Sequence, residues 1–347
     1  MITKKIFGTT ADGEEITLYS VSNENGLQAD VMNFGAALVN LYVPDKKGKK
    51  ADVVLGYDTL KKYFTNSNCF GCAIGPIANR TANAKTVIDG KEYRLAKNDG
   101  ENNLHTDLDR GFHKRVFRAK ADEKKNAVTF TLSMEDGELG LPGNRTFTVT
   151  YTVTEDNGLR IDYTGSTDKE TLFSPTNHSY FNLRGHNAGS VLEAELQLNC
   201  SRFTQIRSGA IPTGQFLDVE GTPLDFRTGQ VIGSRIRSAY PQLRMAKGYD
   251  HNFVIDGPKG KLKLAAVLSD KKAGRTMEVY TDMPGIQVYT ANYEGRHLGK
   301  EHTPYKRRNA IALETQYFPN SANEESFDRP VLLPGKKAKY TTIYRFV

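Results

Sequence analysis

Apolar residues recur at every second position along much of this chain. Val128, Phe130 and Leu132 alternate with polar neighbours, and Phe147, Val149, Tyr151 and Val153 do so between threonines at 146, 148, 150, 152 and 154. Asp156-Asn157-Gly158 interrupts the pattern, and Leu159, Ile161 and Tyr163 resume it. A period of two sends successive side chains to opposite faces of a strand, so two such runs around a Gly-containing turn predict an antiparallel hairpin. Thr86-Val87-Ile88 and Lys91-Glu92-Tyr93 flank Asp89-Gly90, a pair suited to positive φ at both turn positions, and predict another. Further strands are expected at 37–43, 52–55, 191–198, 261–268, 276–281, 286–290, 310–314 and 340–347, with helical turns only near 58–64 and 231–239. Many short strands parted by Gly, Pro, Asn and Asp predict an all-β fold, a large sandwich or a barrel. No Pro/Gly/Ser-rich linker and no repeat divides the chain, so one β domain over residues 1–347 is expected. A broad antiparallel face can gather side chains from strands far apart in sequence, so a functional constellation need not be local.

Composition narrows the function classes. With 38% hydrophobic and 25% charged residues, 31 Gly and 13 Pro, the chain is globular rather than disordered or collagenous. There is no Trp, and 17 Tyr and 17 Phe carry the aromatic load. A mean hydropathy of -0.53 and the lack of any apolar run near the length of a spanning helix predict no membrane segment. The N-terminal stretch has no apolar run after its lysines, which argues against a secretory signal. Three cysteines (Cys69, Cys72, Cys200) are too few and too odd in number for a disulfide framework, so a reducing cytoplasm is expected. The net charge of +7 comes from short, scattered runs such as Lys46, Lys47, Lys49, Lys50 and Lys306-Arg307-Arg308. These lie beside turn residues without interleaved stacking aromatics, so they are solvated loops rather than a nucleic-acid surface.

Several motifs carry no chemistry. Cys69-Phe70-Gly71-Cys72 lacks both the βαβ setting of a redox pair and a second Cys/His pair at zinc spacing, and is expected to be two buried thiols. No phosphate-binding glycine loop and no G-x-S-x-G nucleophile elbow occurs. Of the seven histidines, His105, His178 and His251 sit in polar–aromatic clusters bounded by Asn, Pro or Gly: Asn102-Asn103-Leu104-His105, Ser174-Pro175-Thr176-Asn177-His178-Ser179-Tyr180-Phe181-Asn182-Leu183 and Gly248-Tyr249-Asp250-His251. Polar groups beside Tyr and Phe suit a carbohydrate, whose apolar faces pack on rings while its hydroxyls take hydrogen bonds. Glu314 ends the apolar run Ala310-Ile311-Ala312-Leu313. It is either a rim carboxylate facing water or a buried one, and burial would raise its pKa and suit it to act as a base near neutral pH.

Six ordered motifs together resemble the aldose 1-epimerase family, the galactose mutarotases: Asn79-Arg80, Leu104-His105, Thr176-Asn177-His178-Ser179-Tyr180-Phe181-Asn182-Leu183, Gly248-Tyr249-Asp250-His251-Asn252-Phe253, Pro284-Gly285-Ile286-Gln287-Val288-Tyr289-Thr290 and Leu313-Glu314-Thr315-Gln316. The resemblance runs from Asn33-Phe34-Gly35-Ala36 to Leu333-Pro334-Gly335. It implies a large antiparallel β-sandwich of the galactose mutarotase type and an isomerase that interconverts the α and β anomers of free hexoses such as galactose and glucose. It implies Glu314 as general base and His178 as general acid. Arg80 and His105 would bind sugar, and Asn79, Tyr180, Asp250 and Gln287 would hold its hydroxyls or line the site. No metal or organic cofactor is implied; the partner is a small aldose, not nucleic acid or membrane, and the chain is a monomer or homodimer. Attraction between the acid and the base is expected to hold Glu314 ionised while His178 is protonated. Two departures bear on substrate preference. The Asn-Arg pair follows Gly75-Pro76-Ile77-Ala78, and Thr106-Asp107 follows His105 where the family has Gly, which is expected to bring a side chain and a charge near that imidazole. The alternatives are an epimerase of a phosphorylated or modified hexose, and a catalytically silent sugar-binding protein on the same fold.

Overall fold

The computed structural model describes residues 1–292 and 297–347. Three antiparallel sheets dominate it. The N-terminal sheet runs in chain order through Ile2–Thr9, Glu15–Ser22, Gln28–Met32, Ala37–Pro44 and Lys50–Asp52. The nine-stranded sheet has the order Arg118–Asp122, Ala127–Met134, Arg145–Val153, Gly158–Thr167, Lys337–Phe346, Arg275–Thr281, Lys263–Asp270, Glu195–Leu198, Gln230–Val231. The six-stranded sheet has the order Tyr180–Phe181, Ile311–Gln316, Gly285–Tyr289, Asp250–Val254, Arg202–Arg207, Ile211–Asp218.

The last two sheets form a sandwich because each has one apolar face. Phe130, Phe147, Val149, Ile161 and Tyr163 of the nine-stranded sheet share one core with Phe203, Phe253, Ile286, Val288, Ile311 and Leu313 of the six-stranded sheet. Full burial of one such side chain stabilises by about 1.5–3 kcal/mol. The Tyr344 hydroxyl donates to the Leu313 carbonyl at 2.9 Å, so a polar group inside the core is satisfied across the two layers.

Both predicted hairpins form. Val153 pairs with Leu159 across a turn in which Asn157 carries the positive φ of 61°, and Ile88 pairs with Lys91 across Asp89 (φ 47°) and Gly90 (φ 72°). Among the described residues, α-helix is confined to Leu60–Phe64, inside the expected 58–64, and Pro241–Met245. The expected helix at 231–239 is only a 3-10 turn, Ile232–Ser234; the true helix starts later, where Pro241 pre-sets φ for the first turn. Cys69, Cys72 and Cys200 are free and buried. Burial pushes the Cys72 thiol up to about 12, the opposite of what a redox thiol needs.

Candidate active site

Strand register alone brings half of the predicted site together. Glu314 lies opposite Gln287, which lies opposite Asn252. One pleat along, Tyr180 pairs with Ala312, Ala312 with Tyr289 and Tyr289 with Asp250. Positions two apart share a face, so Glu314, Gln287, Asp250, Tyr180 and Tyr289 all project from the sheet face turned away from the sandwich core. The intervening residues Leu313, Val288 and Phe253 point inward. His251 belongs to that inner set: it is fully buried and packs edge-on against Phe203 with ring centroids 5.8 Å apart. Of the three histidines in polar–aromatic clusters, it alone is a core residue.

Loops deliver the rest. The short strands Thr176–Asn177 and Ala73–Ile74 pair, the His178 amide donates to the Cys72 carbonyl at 2.9 Å, and the Gly71 amide donates to the His178 carbonyl at 3.0 Å. The Asn177 side chain donates to the Gly71 carbonyl and the Tyr151 hydroxyl. A Cβ on Gly71 (φ +70°) would lie 1.9 Å from the Leu38 carbonyl oxygen, so only glycine fits. The Cys69–Cys72 turn therefore serves to carry the His178 loop. Arg80–Thr81 pairs with Asn103–Leu104, which sets Arg80 beside Leu104 and His105. Asn79, His105 and Thr106 all have positive φ (63°, 57° and 66°), a concentration of backbone strain that functional sites tolerate when the surroundings enforce it. The surroundings here are the His105 amide donating to the Asn79 carbonyl at 2.9 Å and the Asn79 amide donating to His105 Nδ1 at 3.1 Å.

One open cavity of about 200 Å³ is lined by all eight predicted residues: Asn79, Arg80, His105, His178, Tyr180, Asp250, Gln287 and Glu314. His178 Nε2 and Glu314 Oε2 are 3.7 Å apart, and both side chains are almost wholly buried. The His178 ring stacks on Tyr180 (4.9 Å, 20°) and meets the His105 ring edge-on at 5.3 Å. Gln287 Nε2 donates to Asp250 Oδ1 at 2.6 Å, Arg80 Nη1 lies 4.0 Å from Asp250 Oδ2, and Arg80 Nε donates to Asp99 Oδ2 at 2.8 Å.

Burial sets the charges. It pushes the Glu314 carboxyl well up, helped by the nearby Asp250 charge and opposed by Arg80. It also lowers His178 to about 4. The expected resting ion pair is therefore corrected: desolvation favours leaving the shared proton on Glu314, with His178 neutral. His105 is pushed well below its ordinary value by burial and by the neighbouring His178, His113 and Arg80. Because the Asn79 amide donates to its Nδ1, a neutral His105 carries its proton on Nε2. Asp250 is raised by burial, against the pull of Arg80 and of the Gln287 hydrogen bond. Glu314 Oε2 and Gln287 Oε1 have no hydrogen-bond partner among the described residues, although both are buried.

The charge expected beside His105 is turned elsewhere. Asp107 Oδ1 accepts from the amides of Asp109 and Arg110, Oδ2 accepts from the Arg110 guanidinium, and Thr106 Oγ1 is bound to Ile77. Thr106-Asp107 thus builds the turn rather than altering the cavity. Sequence reasoning also missed residues of the site: Ser67, Asn68, Cys69, Leu108 and Tyr289 line the cavity, and Asp99 holds Arg80. Asp99-Gly100, a turn signal just before the Leu104-His105 motif, could have pointed to the last of these. No group of three or more His, Cys, Asp or Glu among the described residues is arranged to hold a metal, and no helix among them is long and apolar enough to cross a membrane.

The fold and cavity define a class: an all-β sandwich with a carboxylate and an imidazole in contact inside a polar, Tyr-lined cleft. Comparison with known proteins narrows it. The family model for aldose 1-epimerase matches residues 17–345. Galactose mutarotase from Sus scrofa is 34% identical over 347 residues, covering 99% of this chain and 98% of the relative, and aldose 1-epimerase from Escherichia coli is 32% identical over 338 residues, covering 97% and 96%. The solved structure of a GalM/aldose epimerase homologue from C. elegans superposes with a TM-score of 0.87 at 29% identity, covering 95% of this chain and 98% of that one. The chain belongs to the aldose 1-epimerase family.

Proposed function

We propose that this protein is an aldose 1-epimerase that interconverts the α and β anomers of free hexoses such as galactose and glucose, with Glu314 and His178 as its proton-transfer pair. Residues 1–347 act as one catalytic domain, since the cavity draws on side chains from Ser67 to Glu314. Mutarotation opens a cyclic hemiacetal, rotates the C1–C2 bond and recloses on the other face of the carbonyl. Opening removes a proton from the C1 hydroxyl and adds one to the ring oxygen. With a sugar bound, the shared proton passes from Glu314 to His178; ionised Glu314 then takes the C1 hydroxyl proton as the C1–O5 bond breaks, and protonated His178 gives its proton to O5. The products are an open-chain aldehyde, a neutral carboxylic acid and a neutral imidazole. Reclosure reverses every transfer, so the pair ends as it began with no external proton source.

The 3.7 Å separation of Glu314 and His178 inside the sugar-sized cavity carries this reading. Groups that close can each reach one oxygen of the same hemiacetal within ordinary hydrogen-bond distance. The burial that lowers His178 and raises Glu314 also favours the open-chain side of the step, where both are neutral. Neutral His105 offers an Nε2 proton to a sugar oxygen, and Arg80, Asn79, Asp250, Gln287 and Tyr180 hold or line the sugar. Three free, buried cysteines support a reducing, cytoplasmic location.

Polarimetry on freshly dissolved α-galactose tests the proposal. Optical rotation should relax faster in proportion to added protein and without any metal or cofactor. Relaxation at the uncatalysed rate, with galactose binding intact, would leave a silent sugar-binding protein instead.

A further inference from the structure

The cavity's charge balance points to a specificity device. Arg80 is the only Lys or Arg lining the cavity among the described residues. Two carboxylates flank it: Asp99 Oδ2 accepts its Nε proton at 2.8 Å, and Asp250 Oδ2 lies 4.0 Å from Nη1. Asp99 is not part of the cavity wall, and its side chain is 34% exposed. It is nonetheless placed by construction. Asp99 and Asn102 exchange backbone hydrogen bonds across a tight turn in which Gly100 has φ 62°. The Asn98 side chain accepts from the Leu104 amide at 2.7 Å and donates to the Leu104 carbonyl at 3.0 Å. Leu104 is in turn the register partner of Arg80. The turn bearing Asp99 is thus fastened to the strand pair that carries Arg80 and His105.

We propose that Asp99 is a specificity-determining residue: by neutralising Arg80 from outside the cavity wall, it makes the site select uncharged aldoses over sugars bearing an anionic group. This rests on the mutarotase reading for its substrate class. With the Glu314–His178 pair holding one proton, that pair has no net charge. Arg80, Asp99 and ionised Asp250 then sum to one negative charge around the sugar. Without Asp99 the sum is zero, and a carboxylate or phosphate on the sugar no longer meets a repelling field. The guanidinium keeps its role toward hydroxyls in either case, because that role needs its geometry rather than its unbalanced charge.

The test compares Asp99→Asn and Asp99→Glu with the native protein on galactose and on galacturonate, which differ at C6 alone. Asparagine retains an oxygen for Arg80 Nε and removes the charge; glutamate retains the charge. Dissociation constants come from calorimetry at low and high salt, and turnover separately from polarimetry. Native protein and Asp99→Glu should favour galactose strongly. Asp99→Asn should narrow the galactose:galacturonate affinity ratio by about tenfold at low salt, and by less once salt screens the field. An unchanged ratio in Asp99→Asn, or an equal change in Asp99→Glu, overturns the proposal and leaves Asp99 a structural clamp. Failure of the mutarotase reading looks different: the affinity ratio shifts while the native protein accelerates neither sugar.

Discussion

Glu314→Gln separates catalysis from stability. The substitution preserves side-chain shape and leaves the backbone register with Gln287 untouched, so the sheet stays intact. It removes the group proposed to take the C1 hydroxyl proton. One positioned acid or base is worth about 10²–10⁴-fold, which is a barrier increase of about 3–5 kcal/mol. Turnover should fall by that factor while galactose still binds. Stability should move the other way. Burial raises the Glu314 carboxyl well above its ordinary range, so the native state holds this proton more tightly than the unfolded state does. Where the native state binds more protons, stability falls as pH rises, beginning at the unfolded-state value of about 4.3. At pH 7 native Glu314 therefore destabilises the fold, and a neutral glutamine escapes that penalty. The variant should melt at a higher temperature than the native protein at pH 7, and the gap should shrink toward pH 4. Polarimetry and thermal melts read the two effects independently. Turnover within tenfold of native would remove Glu314 from the mechanism, and a lower melting temperature at pH 7 would refute the burial argument.

His178→Asn should lower turnover by a similar factor. In the native protein kcat/KM should fall as pH drops below about 4, where the Glu314–His178 pair takes up a second proton; a flat profile to pH 3 contradicts this. Five buried histidines are held below their ordinary value by burial: His113 and His178 at about 4, His251 at about 3, His105 well below, and His186, which Lys300 also lowers. Their unfolded forms bind protons first, so each removes up to about 1.4 kcal/mol of stability per pH unit as pH falls below 6.5. Urea melts at pH 7, 5.5 and 4.5 should show a steep decline, and pH-independent midpoints would refute it. Lys300 is buried, bonds to the Val39 carbonyl at 2.9 Å and pairs with the carboxylate of Asp52, whose side chain is 8% exposed. Lys300→Met should destabilise by about 3–5 kcal/mol in urea melts because it strands the Asp52 carboxylate, and Asp52→Asn in that background should recover part of the loss.

The long strands of the nine-stranded sheet were legible because one of their faces is wet or polar, and alternation survives there, whereas Arg202–Arg207, Ile211–Asp218 and Asp250–Val254 of the six-stranded sheet were not predicted. Arg145–Val153 and Gly158–Thr167 match their pattern almost residue for residue. The expected strand at 37–43 forms as Ala37–Pro44, but the first three strands of the N-terminal sheet, Ile2–Thr9, Glu15–Ser22 and Gln28–Met32, were not predicted. Ile2–Thr9 is largely exposed, and its pairing with Glu15–Ser22 shifts register between Ile6 and Gly8, which breaks the period. Ile311–Gln316 is buried on both faces, so its sequence could not say whether Glu314 faced core, rim or cavity; only the neighbouring strands decide. The same geometry moves His251 into the core, since one step along a strand reverses the face. The motifs located every predicted residue of the cavity, yet the state of the proton within it was hidden. That state depends on how completely Glu314 and His178 are removed from water, a property of the folded packing. Asp99 was hidden for the same kind of reason: an exposed turn acid gains meaning only once Arg80 is seen beside it.

In the proposed mechanism Glu314 and His178 attend the two oxygens of one hemiacetal carbon. A crystal structure of Glu314→Gln with galactose bound tests it most directly. The prediction is a single pyranose in the cavity, with its C1 hydroxyl in hydrogen-bond contact with residue 314 and its ring oxygen in contact with His178 Nε2. A galactose seated in the cavity with C1 and O5 turned away from both side chains would contradict the mechanism.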